Sequence, residues 1–316
     1  MDVLSDILDL LQLRGSLYFR TAFSPPWSVA VPPLGRAARF HLAVQGACRV
    51  RVGSDAEVRL NAGDLILIPN GSAHVLEDFE ANTRPEAEPA PLERVLRDSG
   101  FGGEGVLVYG GAAQEDAATK LVCGHFTFAE GVDHPLLRSP PPYLLVTAER
   151  RARNPWLDEL MRLIARQMFA EAPGMTASVI RLSEALFIEV VRSCADQDAA
   201  LRGILTALGD PRIGRALGLM HRRLEQDWSL ESLAREVGLS RSRFAEQFQS
   251  LMRCAPMGYL TDLRLDKARA LLANTNDPVQ RIARQVGYHS PAAFSRAFAN
   301  RYGHSPKAAR QAEVSA

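Results

Sequence analysis

A pattern that occurs twice near the C-terminus constrains this chain more than anything else in it. Trp228-Ser-Leu-Glu-Ser-Leu233-Ala234-Arg-Glu-Val237-Gly238-Leu-Ser240 is followed by a segment carrying Phe244 and Phe248. Pro278-Val-Gln-Arg-Ile282-Ala283-Arg-Gln-Val286-Gly287-Tyr-His-Ser290 is followed by Phe294 and Phe298, and each copy then reaches a proline, Pro256 or Pro306. The matched positions have physical roles. Leu233 and Ile282 hold a first helix down, Ala234 and Ala283 permit close helix approach, and Gly238 and Gly287 supply a turn at positive φ before a second helix. Two helix-turn-helix units, at about 230–252 and 279–301, follow from this pattern.

Helical phase then selects the side chains that face outward. With Phe244, Phe248 and Leu251 on the core side, Ser242, Ala245, Glu246 and Gln249 lie opposite, with Arg243 and Arg253 nearby. In the second copy Phe294 and Phe298 face inward, and Ala292, Arg296 and Asn300 face outward, with Ser290 at the start of the helix. An α-helix fits the major groove of DNA, so these faces are candidate base readers, whereas Arg241, Arg243 and Arg301 suit phosphates. Met257 to Leu272 reads as one connecting helix, long enough to hold two recognition helices in successive grooves.

Charge is divided the same way. From Pro211 onward there are 17 basic and 9 acidic residues, net +8, against 20 basic and 27 acidic before it, net −7. A basic C-terminal domain suits a polyanion. The composition, 47% hydrophobic and 23% charged, is that of a soluble globular protein, and a mean hydropathy of −0.09 leaves no surplus for membrane spans. Asp2, Asp6 and Asp9 stand where a secretory signal carries Lys or Arg, so a cytoplasmic location is expected. Cys48, Cys123, Cys194 and Cys254 show no paired spacing and are expected as reduced thiols.

The 316 residues imply more than one domain. Residues 1–150 read as an all-β unit of half-buried strands: Phe40, Leu42 and Val44 alternate with Arg39, His41 and Ala43, and Val122, Phe126 and Phe128 alternate with Cys123, His125 and Thr127. Glu80 to Gly105, acidic and rich in Pro and Gly, reads as a mobile loop. Residues 151–198 read as an amphipathic helical hairpin opened by Asn154-Pro155, which either docks on the β unit or pairs with another chain. Residues 199–212, with several small residues, Gly203 and Gly209, read as a linker to a DNA-binding domain at 213–312. The fold class expected is α+β multidomain: a β-barrel, a hairpin and an all-α domain.

On these motifs the chain resembles the AraC/XylS transcription regulators. "LAREVGLS", "IARQVGYHS" and "FANRYGHSPKAAR" look like the paired helix-turn-helix signature of that family. The resemblance implies base reading at Ser242, Ala245, Glu246, Ala292 and Arg296. Gly63-Asp-Leu-Ile-Leu-Ile-Pro69-Asn-Gly71-Ser-Ala-His74 fits the second cupin motif, G-x5-P-x-G-x2-H, and the β unit resembles the cupin-like domain of regulators linked to reactive-chlorine or other oxidant stress. Arg39 sits where a metal-binding cupin has its Glu, and the H-x-H motif is missing.

A DNA-binding regulator that senses a small molecule or oxidant is therefore expected, with duplex DNA as partner, RNA polymerase as a second if it activates, and a homodimer as one assembly. A metal-dependent cupin enzyme with a DNA-binding tail is the alternative; no paired carboxylates, nucleophile motif or phosphate loop supports it. Strand alternation sends Cys123 and His125 to one face, about 6.6 Å apart, with His41 and His74 as their companions in a sensing site on the polar face of the β unit. Three readings of that set stay open: a zinc site, a thiol activated by imidazolium, or ordinary barrel residues.

Overall fold

The computed structural model describes residues 2–54, 56–79, 88–103, 105–111, 118–129, 131–132, 134–138, 140–168 and 173–314. Its strands are β1 (Arg14–Ser24), β2 (Ser28–Val31), β3 (Ala37–Gln45), β4 (Ala47–Val52), β5 (Ala56–Asn61), β6 (Leu65–Ile68), β7 (His74–Glu77), β8 (Ala90–Pro91), β9 (Val106–Gly110), β10 (Thr119–Thr127) and β11 (Leu144–Val146). Its helices are α1 (Val3–Leu11), α2 (Leu92–Asp98), α3 (Pro135–Arg138), α4 (Ala148–Ala152), α5 (Pro155–Met168), α6 (Met175–Ser193), α7 (Ala199–Gly209), α8 (Ile213–Arg222), α9 (Leu230–Glu236), α10 (Arg241–Met252), α11 (Pro256–Asn274), α12 (Val279–Gln285), α13 (Pro291–Tyr302) and α14 (Pro306–Val314). Two units divide the chain: Leu13–Phe128 with Pro140–Asp198, and Met1–Gln12 with Ala129–Ser139 and Ala199–Ala316. Among the described residues no helix is long and apolar enough to cross a membrane.

The first unit is built on two sheets, ordered β11-β6-β3-β10-β1-β9 and β5-β4-β7-β2-β8. Period-2 alternation on β3 and β10 directs Ala43, Leu121 and Cys123 into a core shared with Val29, Val50 and Leu60 of the second sheet. The other face is equally covered. Phe40 stacks on Phe126 at 5.2 Å between ring centroids, and Phe126 meets Phe187 of α6 at 5.0 Å. Gly124 makes room for this: a Cβ there would lie 2.6 Å from the Phe40 ring.

The strands β3 and β10, expected half-buried, are buried on both faces. Of the two arrangements expected for the hairpin of α5 and α6, docking on its own sheet is the one seen, because Phe40, Phe126 and Phe187 supply apolar surface on both sides of that contact. Within the expected mobile loop, residues 92–98 form α2, with Val95 fully buried, while residues 80–87 of that loop lie outside the described residues.

In the second unit the repeat is realised as α9–α10 and α12–α13, and one core joins both copies through Leu233, Phe244 and Phe248 on one side and Ile282, Phe294 and Phe298 on the other. Met252 is fully buried at the end of α10, where Leu251 was expected; Leu251 packs against the core from its edge. The two prolines of the repeat open α11 and α14, a position where a missing N–H costs nothing.

The expected linker at 199–212 is instead α7 followed by a turn into α8, and Leu201, Ile204 and Ala207 are buried. Gly203 lets it pack closely, since a Cβ there would stand 2.6 Å from the Leu251 carbonyl oxygen. Residues 1–12 and 129–139, expected within the β unit, belong to the helical unit: Leu10 lies in its core and Leu136 packs against that core.

Candidate functional site

The helical unit presents two recognition helices of the same design. Ser240 and Ser290 cap them, their hydroxyls accepting from the backbone N–H of Arg243 and Ala293, and Gly238 and Gly287 turn the chain at φ +67° and +82°. The expected outward faces are outward. Arg241, Ser242, Arg243, Glu246 and Gln249 on α10 are exposed, as are Ser290, Ala292, Arg296 and Asn300 at α13; Ala245 is half-buried. Arg241 makes an exposed ion pair with Glu231 at 2.9 Å, weak enough for a phosphate to compete with it.

Arg301 departs from its expected place. Its side chain is only 18% exposed and turns inward to Asp262 at 3.2 Å and Asp266 at 3.8 Å, and Tyr302 also donates to Asp266 at 2.7 Å. The helix phase put Arg301 beside the reading face, but two acids on α11, invisible to a single-helix projection, hold it against the domain.

In the barrel unit three of the four expected site residues meet. His41 on β3 and Cys123 on β10 are direct cross-strand partners, with His41 Nδ1 3.1 Å from Cys123 Sγ. His41 Nε2 lies 2.8 Å from Nε2 of His74, and His74 Nδ1 lies 2.9 Å from the Ser72 carbonyl oxygen. That carbonyl only accepts, so His74 donates from Nδ1 and accepts at Nε2; His41 then donates from Nε2 and accepts the Cys123 S–H at Nδ1. The chain is one-directional and every member is neutral. Burial lowers His74 to about 4 and holds His41 well below the usual imidazole range, with His74 adding to that effect on His41. Burial pushes the Cys123 thiol up strongly, and Cys48 pushes it further.

This geometry favours some of the readings left open over others. The "polar face" of β10 is the barrel interior, because the opposite face is covered by the hairpin. A thiol activated by imidazolium is at odds with two neutral imidazoles and a thiol held protonated. Zinc does not fit either: His41 stands between the other two donors and spends one ring nitrogen on each, so the three run in a line rather than converge. Among the described residues no group of three or more His, Cys, Asp or Glu side chains is placed to hold a metal ion. His125 stays outside the chain; it is paired across the strands with Arg39, and burial, then Arg39, lowers its pKa.

Beside His41 and Cys123 opens a cavity of about 180 Å³. Phe19, Phe23, Leu76, Leu92 and Leu107 give it apolar walls, and Arg39, only 6% exposed, is its charged member. The sequence marks Arg39, His41 and Cys123 by their alternation with apolar residues. It gives no signal for the apolar walls, which come from β1, β7, β9 and α2 and are brought together only by barrel closure.

Residues 2–196 match a family described as cupin, and residues 233–312 match a helix-turn-helix domain family. The chain is 31% identical over 315 residues to the HTH-type transcriptional regulator AlkR of Acinetobacter baylyi, covering 98% of this chain and 99% of that one. It is 25% identical to the RCS-specific HTH-type transcriptional activator RclR of Escherichia coli, covering 97% of this chain and 96% of that one. Among solved structures, the DNA-binding domain of AdpA in complex with a target DNA is 30% identical, with 34% of this chain and 95% of that one covered and a TM-score of 0.32. With a cupin unit ahead of a duplicated helix-turn-helix and relatives of that kind along its whole length, the chain belongs to the AraC-type transcription regulators that carry an N-terminal cupin domain.

Proposed function

We propose that this regulator reads an operator spanning two successive major grooves on one face of duplex DNA, and that a small molecule entering the barrel cavity changes its binding. The observation that carries the reading is the duplicated exposed face, Ser242, Glu246 and Gln249 on α10 and Ala292, Arg296 and Asn300 on α13, each backed by a buried phenylalanine pair. The 19 residues of α11 between the two units, at ~1.5 Å per residue, extend roughly 28 Å. That is close to the ~34 Å between successive grooves. A second copy of the chain and, in activation, RNA polymerase are its expected protein partners.

A small organic effector is favoured over an oxidant. RclR is described as RCS-specific, but burial keeps the Cys123 thiol protonated beside a neutral His41, whereas oxidants act on thiolates. The reading is regulation without turnover: among the described residues of the barrel no donor set suits a metal-dependent reaction, and the full-length relatives are named as regulators.

The test selects duplexes from a random pool with the full chain and measures affinity against salt. A protein neutralising about six to ten phosphates loses ~10³ to 10⁵ in affinity between 50 and 200 mM salt. A selected duplex bound more tightly than random duplex, with a slope of that order, is the expected result. If no selected duplex outcompetes random sequence, the reading of the exposed faces fails.

A further inference from the structure

The cavity beside His41 and Cys123 has a composition that narrows what it can hold. A cavity of roughly 150 Å³ takes up a molecule the size of benzene, and this one, at about 180 Å³, is of similar size. Its walls are aliphatic and aromatic, so the body of a ligand must be apolar. Its polar members are few and have definite chemistry. Thr21 accepts from the Leu121 N–H at 3.1 Å, which leaves its own O–H to donate. His41 and Cys123 direct their protons along the chain to His74, so they bring no charge to the wall.

The charged member is Arg39, two residues from His41 on β3 and on the same face of the strand. A guanidinium in an apolar wall repels an ammonium ion and attracts a carboxylate, which it binds in a two-pronged, charge-assisted geometry. Its five N–H donors leave capacity for such a ligand alongside any protein partner. Among the described residues lining the cavity none is acidic, so nothing there selects for a cation.

We propose that the barrel cavity is a binding site for a small monocarboxylic acid with an apolar body, roughly six to ten non-hydrogen atoms in all, its carboxylate held by Arg39. This rests on the cavity being the effector site and adds the chemical class of the effector.

The experiment titrates the full-length protein calorimetrically with sodium octanoate, 1-octanol and octylamine, three probes that share one tail and differ in head. Octanoate should bind at least roughly tenfold more tightly than 1-octanol, the size of one charge-assisted contact, and octylamine should not bind. Arg39→Gln should abolish that preference. Because a buried arginine also matters to folding, Leu76→Trp provides a second variant that fills the cavity and keeps Arg39; it should lose octanoate binding while its circular dichroism stays that of the wild type. Equal affinity for octanoate and 1-octanol, or octanoate binding that survives in folded Leu76→Trp protein, would overturn the proposal. Affinity for a selected duplex is measured in parallel. If 1-octanol alone shifts it, the carboxylate assignment fails and the effector reading stands; if octanoate binds in the cavity and leaves duplex affinity unchanged, the site stands and the effector reading fails.

Discussion

His41 and Cys123 face each other directly across β3 and β10, 3.1 Å apart between Nδ1 and Sγ, and because the Ser72 carbonyl fixes the tautomer of His74 the thiol is the donor at the start of a hydrogen-bonded chain that ends on that carbonyl. Removing the donor strands a buried acceptor. Cys123→Ala should therefore destabilise the barrel by ~1–3 kcal/mol, whereas Cys123→Ser, which keeps an O–H, should cost less. Duplex affinity in the absence of any effector should be unchanged in both, because the reading helices belong to the other unit. Urea unfolding and a duplex titration check the two halves; equal losses for Ala and Ser would mean the bond contributes nothing.

The buried histidines give stability a definite pH dependence. Burial lowers His74 and His221 to about 4 and His134 to about 3, all from the usual 6.5. The unfolded chain then binds more protons than the folded one between those values, so stability is complete above about pH 6.5 and falls as pH drops towards 4. Each such group contributes a slope of up to about 1.4 kcal/mol per pH unit. Unfolding free energies measured from pH 7.5 to 5 should fall steeply, and His74→Gln should reduce the slope by about one proton's worth. A flat profile in the wild type would show that these imidazoles are protonated in the folded state.

The two copies of the repeat differ in how much they need their glycine. Gly238 turns at φ +67° in open space, so Gly238→Ala pays only the left-handed backbone cost of ~1–2 kcal/mol. Gly287, at φ +82°, faces the Arg264 guanidinium and the Leu224 carbonyl oxygen, which a Cβ would approach to 2.6 and 2.8 Å. That arginine donates to the carbonyls of Leu224 and Gln226, so moving it breaks two bonds. Gly287→Ala should be clearly the more destabilising of the pair in thermal unfolding; the reverse order would contradict the packing at the second turn.

What could be read from the sequence was what is local and repeated. Phe244, Phe248, Phe294 and Phe298 mark their helix faces by spacing alone, and Gly63, Pro69 and Gly71 mark the loop that delivers His74 to the barrel. Gly71 is needed there: at φ +61° a Cβ would run into the Leu34 carbonyl. Long-range packing was not legible. Gly203 suggested a linker, yet it serves a helix pressed against Leu251. The segment holding α2 looked too acidic and too rich in Pro and Gly for ordered structure, yet Val95 and Leu92 bring it to the barrel. His125 had the right alternation to join the histidine chain and did not, because its cross-strand partner is Arg39 rather than His41.

Arg296 and Arg301 stand five residues apart on one helix and should behave differently when removed. Arg296 is exposed, and on the proposed reading of α13 its guanidinium bonds two acceptors of a guanine in the major groove. Arg296→Ala should cost ~1–3 kcal/mol of binding to a selected duplex and relax preference at one base position, with little effect on stability. Arg301 is already engaged with Asp262 and Asp266, the latter only 3% exposed, so its loss leaves carboxylates short of a counter-charge inside the domain. Arg301→Ala should lower unfolding stability by ~1–3 kcal/mol, and at temperatures where the variant is folded it should leave base preference intact. Parallel duplex selections and denaturant curves on the two full-length variants separate these outcomes. If Arg301→Ala altered base preference while its stability matched the wild type, the inward placement of that side chain would be wrong; if Arg296→Ala kept full preference, α13 would present a different face to the groove.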